Sequence, residues 1–84
     1  MAARQDRKEI LSKTTACIAS VLSVPAEPMN EDTSFTADLV VDSLLMYEIV
    51  IELEDLFDMR ISDSDIDRIE TIGDIVDFVL AYRD

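Results

Sequence analysis

Asp42-Ser43-Leu44-Leu45-Met46-Tyr47-Glu48-Ile49-Val50-Ile51-Glu52-Leu53-Glu54-Asp55-Leu56-Phe57 begins where a long polar stretch gives way to an apolar-rich one. The spacing predicts a helix over 43–57. Ile49, Val50, Leu53, Leu56 and Phe57 share one stripe, the face that packs inward. Leu44, Met46, Tyr47 and Ile51 fall largely off that stripe, and Glu48, Glu52, Glu54 and Asp55 fill the gaps. A helix apolar on more than one side either sits at the centre of a small bundle or offers a second face to a partner. The coincidence of acids with spare aliphatics favours the partner.

The rest of the chain is read outward from that helix. Upstream, Ile10, Leu11, Thr14, Cys17, Ile18, Val21 and Leu22 recur at helical spacing. They predict a first helix over about 6–22, opened by a capping box of Asp6 and Glu9 and ended by Pro25 and Pro28. Residues 23–41 form a long connection, pinned to the core by Val24, Met29, Phe35 and Leu39. Asp32-Thr33-Ser34-Phe35 within it is expected to make a short helical turn. Downstream, Ser62 with Asp65 opens a short helix that turns Ile66 and Ile69 inward. Thr71 with Asp74 opens the last helix, whose inner face is Ile72, Ile75, Val76, Val79 and Leu80, with Phe78 and Tyr82 near the edge. The fold class is therefore all-α, with three long helices, a short third helix and a long loop between helices 1 and 2. No internal repeat or linker interrupts residues 1–84, which read as one small domain.

Charge narrows the partners. Net charge is −12, and residues 14–59 carry ten acids and no Lys or Arg. Such a surface repels nucleic acid and anionic lipid and steers the chain toward basic patches on other proteins. It also keeps the chain soluble. Cys17 is the only cysteine, which excludes an intramolecular disulfide and a cysteine-based zinc site. It is expected as a small buried hydrophobe. No apolar run approaches membrane length, residues 1–13 do not resemble a signal peptide, and the expected setting is cytoplasmic. Asp63-Ser64-Asp65-Ile66-Asp67 has the alternating acids of a calcium loop, but Arg68 stands where the sharp turn needs Gly and Asp74 where a bidentate Glu is needed. Acids that complement a helix start explain that run better, and no metal site is expected.

Ser43 has two readings. It or Asp42 can cap the helix. Alternatively, it is an acceptor for a phosphodiester-linked arm, since a helix N-terminus accommodates phosphate charge. The chain contains no histidine, so a hydrolase built on Ser43 lacks its base, and no enzymatic activity is expected.

The run Phe35-Thr36-Ala37-Asp38-Leu39-Val40-Val41-Asp42-Ser43-Leu44, continued by Glu48 to Phe57, resembles the acyl carrier proteins. That family shows an acidic-Leu-Gly-x-Asp-Ser-Leu run and then a helix ending in several acids and Phe. The similarity extends over nearly the whole chain. It implies a four-helix bundle with a short third helix. It implies that Ser43, supported by Asp42, bears a 4′-phosphopantetheine arm donated from coenzyme A by a phosphopantetheinyl transferase. A stand-alone, monomeric carrier of this kind holds acyl groups as thioesters for fatty-acid, polyketide or related specialised biosynthesis. Its partners are a loading ligase or acyltransferase and synthase-type enzymes with basic docking patches. Leu44, Tyr47, Glu48, Ile51, Glu54 and Asp55 match the family's partner-facing positions. Val40 replaces the family's usual Gly, Leu45 follows Leu44 where fatty-acid carriers often have an acid, and Leu56 replaces another acid near the helix end. These departures point to a specialised carrier in a dedicated pathway. Peptidyl carriers commonly show Gly-Gly where Val40-Val41 stands, and D-alanyl carriers commonly have Met where Leu44 stands. An unmodified helical adaptor that binds a basic partner is the alternative outside the carriers.

Overall fold

The long connection before the second helix does not wander: its backbone is strapped to the far end of the chain. The computed structural model describes residues 3–83. Four helices follow in order, α1 (Ala3–Leu22), α2 (Ser43–Phe57), α3 (Asp63–Arg68) and α4 (Ile72–Arg83). Between α1 and α2, the Phe35 N–H donates to Glu70 O at 3.0 Å. The Ile72 and Gly73 N–H groups donate back to Thr33 O at 3.1 Å and Glu31 O at 2.9 Å. Ser34 and Thr71 form an isolated antiparallel bridge. The helical turn expected over 32–35 is therefore absent. The Phe35 N–H that would close such a turn is spent on Glu70 O, and the local bonds that do form run from Thr33 N–H to Asn30 O and from Asp38 N–H to Ser34 O.

The helix ends follow from local chemistry. α1 begins at Ala3, ahead of the expected capping box, so Asp6 lies inside the helix. The residues Ala3, Arg4 and Gln5 are good helix formers and carry it upstream. It stops before the prolines: Ser23 turns left-handed at φ 58, and the Val24 N–H reaches back to Ala19 O at 3.1 Å. Asp58 ends α2 by the same device, at φ 52, with the Met59 N–H donating to Glu54 O at 3.0 Å. The capping box of Ser62 and Asp65 at the start of α3 is complete in both directions. At α4, Asp74 Oδ2 accepts from the Glu70 N–H at 2.8 Å and the Thr71 N–H at 3.1 Å, and Thr71 Oγ1 accepts from the Asp74 N–H.

α1 packs against both α4 and α2. The core draws Ile10 and Ile18 from α1, Phe35 from the connection, Ile49, Val50 and Leu53 from α2, and Ile72, Ile75, Val76 and Val79 from α4. Each such side chain, fully buried, contributes about 1.5–3 kcal/mol against entropy. Met59 and Ile61, in the turn that follows α2, are also buried. Short α3 buries no residue fully, and Ile66 and Ile69 only lean on the core. Four sequence expectations change. Val24 is exposed rather than a pin, because the left-handed turn at Ser23 redirects the chain. Leu56 is exposed rather than on the core stripe, and Met46 packs against the core rather than away from it. Cys17 is half-buried rather than enclosed.

A three-way ion cluster ties α1 to the connection and to α4. The Arg7 guanidinium donates to both oxygens of Glu31, one of them through Nε at 3.0 Å, and through Nη1 to Asp77 Oδ1 at 2.7 Å. The Glu31 hydrogen bonds, followed by those of Asp77, push the Arg7 pKa above its ordinary value. Gly73 sits against the same place: a Cβ there would lie 3.0 Å from Glu31 O and 3.2 Å from Glu31 Cβ. This clamp fixes the lower half of the connection and leaves its upper half to present Asp42 and Ser43.

Candidate functional site

The question of which residue caps α2 has a definite answer. Asp42 is extended at φ −90 and ψ −179, and its Oδ1 accepts the Leu45 N–H at 2.9 Å. Capping thus falls to Asp42, and Ser43 is the first helical residue. The Ser43 side chain is exposed, and no hydrogen bond among the described residues uses its hydroxyl. That hydroxyl stands at the positive end of the α2 dipole, in a first turn with no acidic residue.

The approach to Ser43 is built from short-range bonds. The Ser34 N–H donates to Asp38 Oδ2 at 2.7 Å, and Ser34 O accepts from the Asp38 and Leu39 N–H groups. The Val41 N–H donates to Phe35 O at 2.8 Å. Phe35 is buried, so this loop hangs from the core by an aromatic anchor. Val40, held between the bonded residues Leu39 and Val41, takes a left-handed backbone at φ 51.

A cavity of about 220 Å³ opens beside the serine. Phe35, Val41, Met46, Tyr47, Ile66 and Ile69 supply its apolar wall, and Ser43, Asp42 and Asp67 stand on its lining. An apolar pocket reached past a free hydroxyl can shelter an aliphatic group tethered to that hydroxyl. The site therefore fits a phosphodiester-linked arm on three counts: an exposed acceptor oxygen, a place in the first turn of a helix, and an adjacent apolar recess.

Of the other residues singled out in the sequence, Leu44, Tyr47, Glu48, Ile51 and Asp55 are all exposed along α2. They form one acidic and aliphatic surface running down from Ser43. Glu54 is employed elsewhere. It is half-buried, and its Oε2 accepts the Ile61 N–H at 2.8 Å, which holds the turn after α2 in place. Exposed Leu56 and Glu52 extend the surface toward α1. Sequence reasoning placed Leu56 in the core because it continues the inward period of Ile49 and Leu53. The break between exposed Leu56 and half-buried Phe57 gives no signal in that period.

Between α1 and α2, a groove of about 750 Å³ runs past Ala16, Cys17, Ser20, Ile51 and Leu56. Burial, followed by the nearby Glu52 carboxylate, pushes the Cys17 thiol pKa up, so it is not a poised nucleophile. The alternating acids of α3 gather no metal-ligand cluster: among the described residues no group of three or more His, Cys, Asp or Glu side chains is placed to hold an ion. Nor is any described helix long and apolar enough to cross a membrane.

Comparison with known proteins bears on the same residues. Residues 12–79 match the phosphopantetheine attachment site family. The acyl carrier protein of Acidothermus cellulolyticus is 38% identical over 73 residues, 87% of this chain and 87% of that protein. That of Rubrobacter xylanophilus is 37% identical over 78 residues, 93% of this chain and 96% of that protein. Among solved structures, the acyl carrier protein of Enterococcus faecalis superposes with a TM-score of 0.75 at 36% identity, over 90% of this chain and 96% of that one. The family match over 12–79 takes in part of α1, the connection, α2, α3 and most of α4.

Proposed function

The chain belongs to the acyl carrier protein family, a family of non-catalytic carriers that use covalent phosphopantetheine, and from that premise we propose that Ser43 is the residue that receives the arm. One observation carries this reading: Asp42 takes the capping bond from Leu45, which leaves the Ser43 hydroxyl exposed and unspent. In the attachment step, Ser43 Oγ bonds to the phosphorus of coenzyme A that bears pantetheine. The phosphoanhydride bond breaks, adenosine 3′,5′-bisphosphate leaves, and the serine proton passes to a base of the transferase. The chain has no histidine, and the Asp42 carboxylate is engaged by the Leu45 N–H, so the base is assigned to the transferase. Once attached, the arm supplies a terminal thiol that holds an acyl group as a thioester.

The chain's own residues then do three things. The first turn of α2 orients the phosphodiester by its N–H groups and dipole. The recess of Phe35, Met46, Tyr47, Ile66 and Ile69 takes up apolar atoms of the tethered group, each CH₂ gaining roughly 0.8 kcal/mol on burial. Leu44, Tyr47, Glu48, Ile51 and Asp55 meet the basic docking patches of a loading ligase and of synthase-type enzymes, with acids steering the encounter and aliphatics supplying contact. Glu54 contributes to that face indirectly, by fixing the turn to Ile61. The aliphatic exposure of this face favours a dedicated fatty-acid or polyketide-type pathway over general housekeeping synthesis.

Intact mass is the test. Incubation with coenzyme A, magnesium and a broad-specificity phosphopantetheinyl transferase is expected to add one phosphopantetheine to the parent and none to Ser43→Ala. Addition to the Ser43→Ala variant would remove Ser43 from its role.

A further inference from the structure

Val40 breaks a local rule close to the attachment site. A left-handed backbone crowds Cβ against the carbonyl, and a β-branched residue there is an outlier. The surrounding bonds impose it, since Leu39 is tied to Ser34 and Val41 to Phe35 on either side. The core returns nothing for it, because the Val40 side chain is 76% exposed. Val40 also lies three residues ahead of Ser43, so its Cα is within about 11 Å of that serine by chain reach alone. Val40 and Leu44, the latter 69% exposed next to the serine, thus both lie on the free surface nearest the hydroxyl that an enzyme acting on Ser43 approaches. A stiff apolar side chain held outward in an unfavourable conformation beside a modified residue is accounted for by contact with a partner rather than by the fold.

We propose that Val40 is a specificity-determining residue of the attachment reaction: a rigid apolar knob that a dedicated phosphopantetheinyl transferase receives in a recess, and that a transferase lacking the recess meets as a clash. The inference rests on Ser43 as the acceptor. It adds that selectivity among transferases comes from the loop before the serine as well as from α2.

The test compares the parent with Val40→Ala, Val40→Gly and Val40→Asn. Each apo-protein is incubated with coenzyme A, magnesium and a broad-specificity transferase, and kcat/KM is read by intact mass. Ala removes the bulk but remains an L-residue; Asn keeps bulk but tolerates the left-handed region. Expected is a rise of about tenfold for Ala and Gly, with Asn within about threefold of the parent. Thermal melts supply the second readout. Gly and Asn are expected to melt above the parent and above Ala. The order of rates then differs from the order of stabilities, whereas a purely structural role would make them agree. Rates equal within about twofold across all four proteins, or slower transfer to Ala and Gly, overturn the proposal and leave the carrier reading standing. Failure to modify any variant overturns the carrier reading, and the inference with it.

Discussion

Thr14 offers the sharpest test of how the core is understood. It lies in the middle of α1 with 0% exposure, and its Oγ1 has no hydrogen-bond partner among the described residues. A buried hydroxyl left unpaired costs about 1–3 kcal/mol. Val has nearly the same shape and a similar helix propensity, so Thr14→Val removes that cost with little change in packing or backbone preference. The expected gain is about 1 kcal/mol or more, which in a chain of this size raises the melting temperature by about 4–8 °C per kcal/mol. Thr14→Ser serves as the opposite control. It keeps the hydroxyl and deletes a buried methyl, which costs about 1 kcal/mol in transfer and cavity terms. Thr15→Val is the second control. The Thr15 hydroxyl donates to Ser12 O at 3.0 Å, so its removal is expected to bring no gain. Far-UV circular dichroism melts and urea titrations of the four proteins decide the matter. If Thr14→Val melts at or below the parent, the hydroxyl is paired, with a carbonyl one turn back in α1 as the partner, and the accounting of the α1 face is wrong.

Other consequences follow from the clamp, the glycine, the thiol and the charge. Gly73→Ala is expected to destabilise by about 1 kcal/mol despite its better helix propensity, because the new Cβ meets Glu31 O at 3.0 Å; a urea midpoint unchanged or raised would contradict this. Arg7→Gln should lower the melting temperature by a few degrees, the loss of a partly exposed three-way cluster being worth about 1 kcal/mol, and the parallel loss in an Asp77→Asn background should be smaller, which a double-mutant cycle reads directly. The Cys17 thiol has a folded-state pKa above its unfolded value, so its contribution is fully present below about pH 8.5 and is lost as pH rises, the unfolded thiol ionising first. Between about pH 8 and pH 10 the parent should accordingly lose more stability than Cys17→Ala, as followed by urea titration at each pH. Finally, residues 14–59 carry ten acids and no cation, so their repulsion should raise the melting temperature from low to moderate salt, outweighing the screening of the Arg7 pairs; a flat or falling curve would refute it.

Much of this molecule was legible because its signals are local. The bounds of α2 follow from Asp42-Ser43 ahead of an apolar period, and α3 and α4 from Ser62 with Asp65 and Thr71 with Asp74, all short-range devices that the structure retains. What stayed hidden depends on partners distant in sequence. Nothing near Glu31, Thr33 or Phe35 announces that their backbone pairs with Glu70, Ile72 and Gly73, nor does anything near Arg7 announce Asp77. Glu54 reads as one acid among several until Ile61 turns back onto it. Two places where local chemistry is left unfavourable differ in a telling way. Thr14 is buried at the middle of α1, where only folding stability is at stake, and its correction should simply stabilise. Val40 is exposed, on the loop that carries Ser43, where any enzyme acting on the serine must pass. A cost borne at the surface beside a reactive group is repaid through partners rather than through the fold, which is why removal of the Val40 side chain should change which transferase is accepted, while relief at Thr14 should change stability alone.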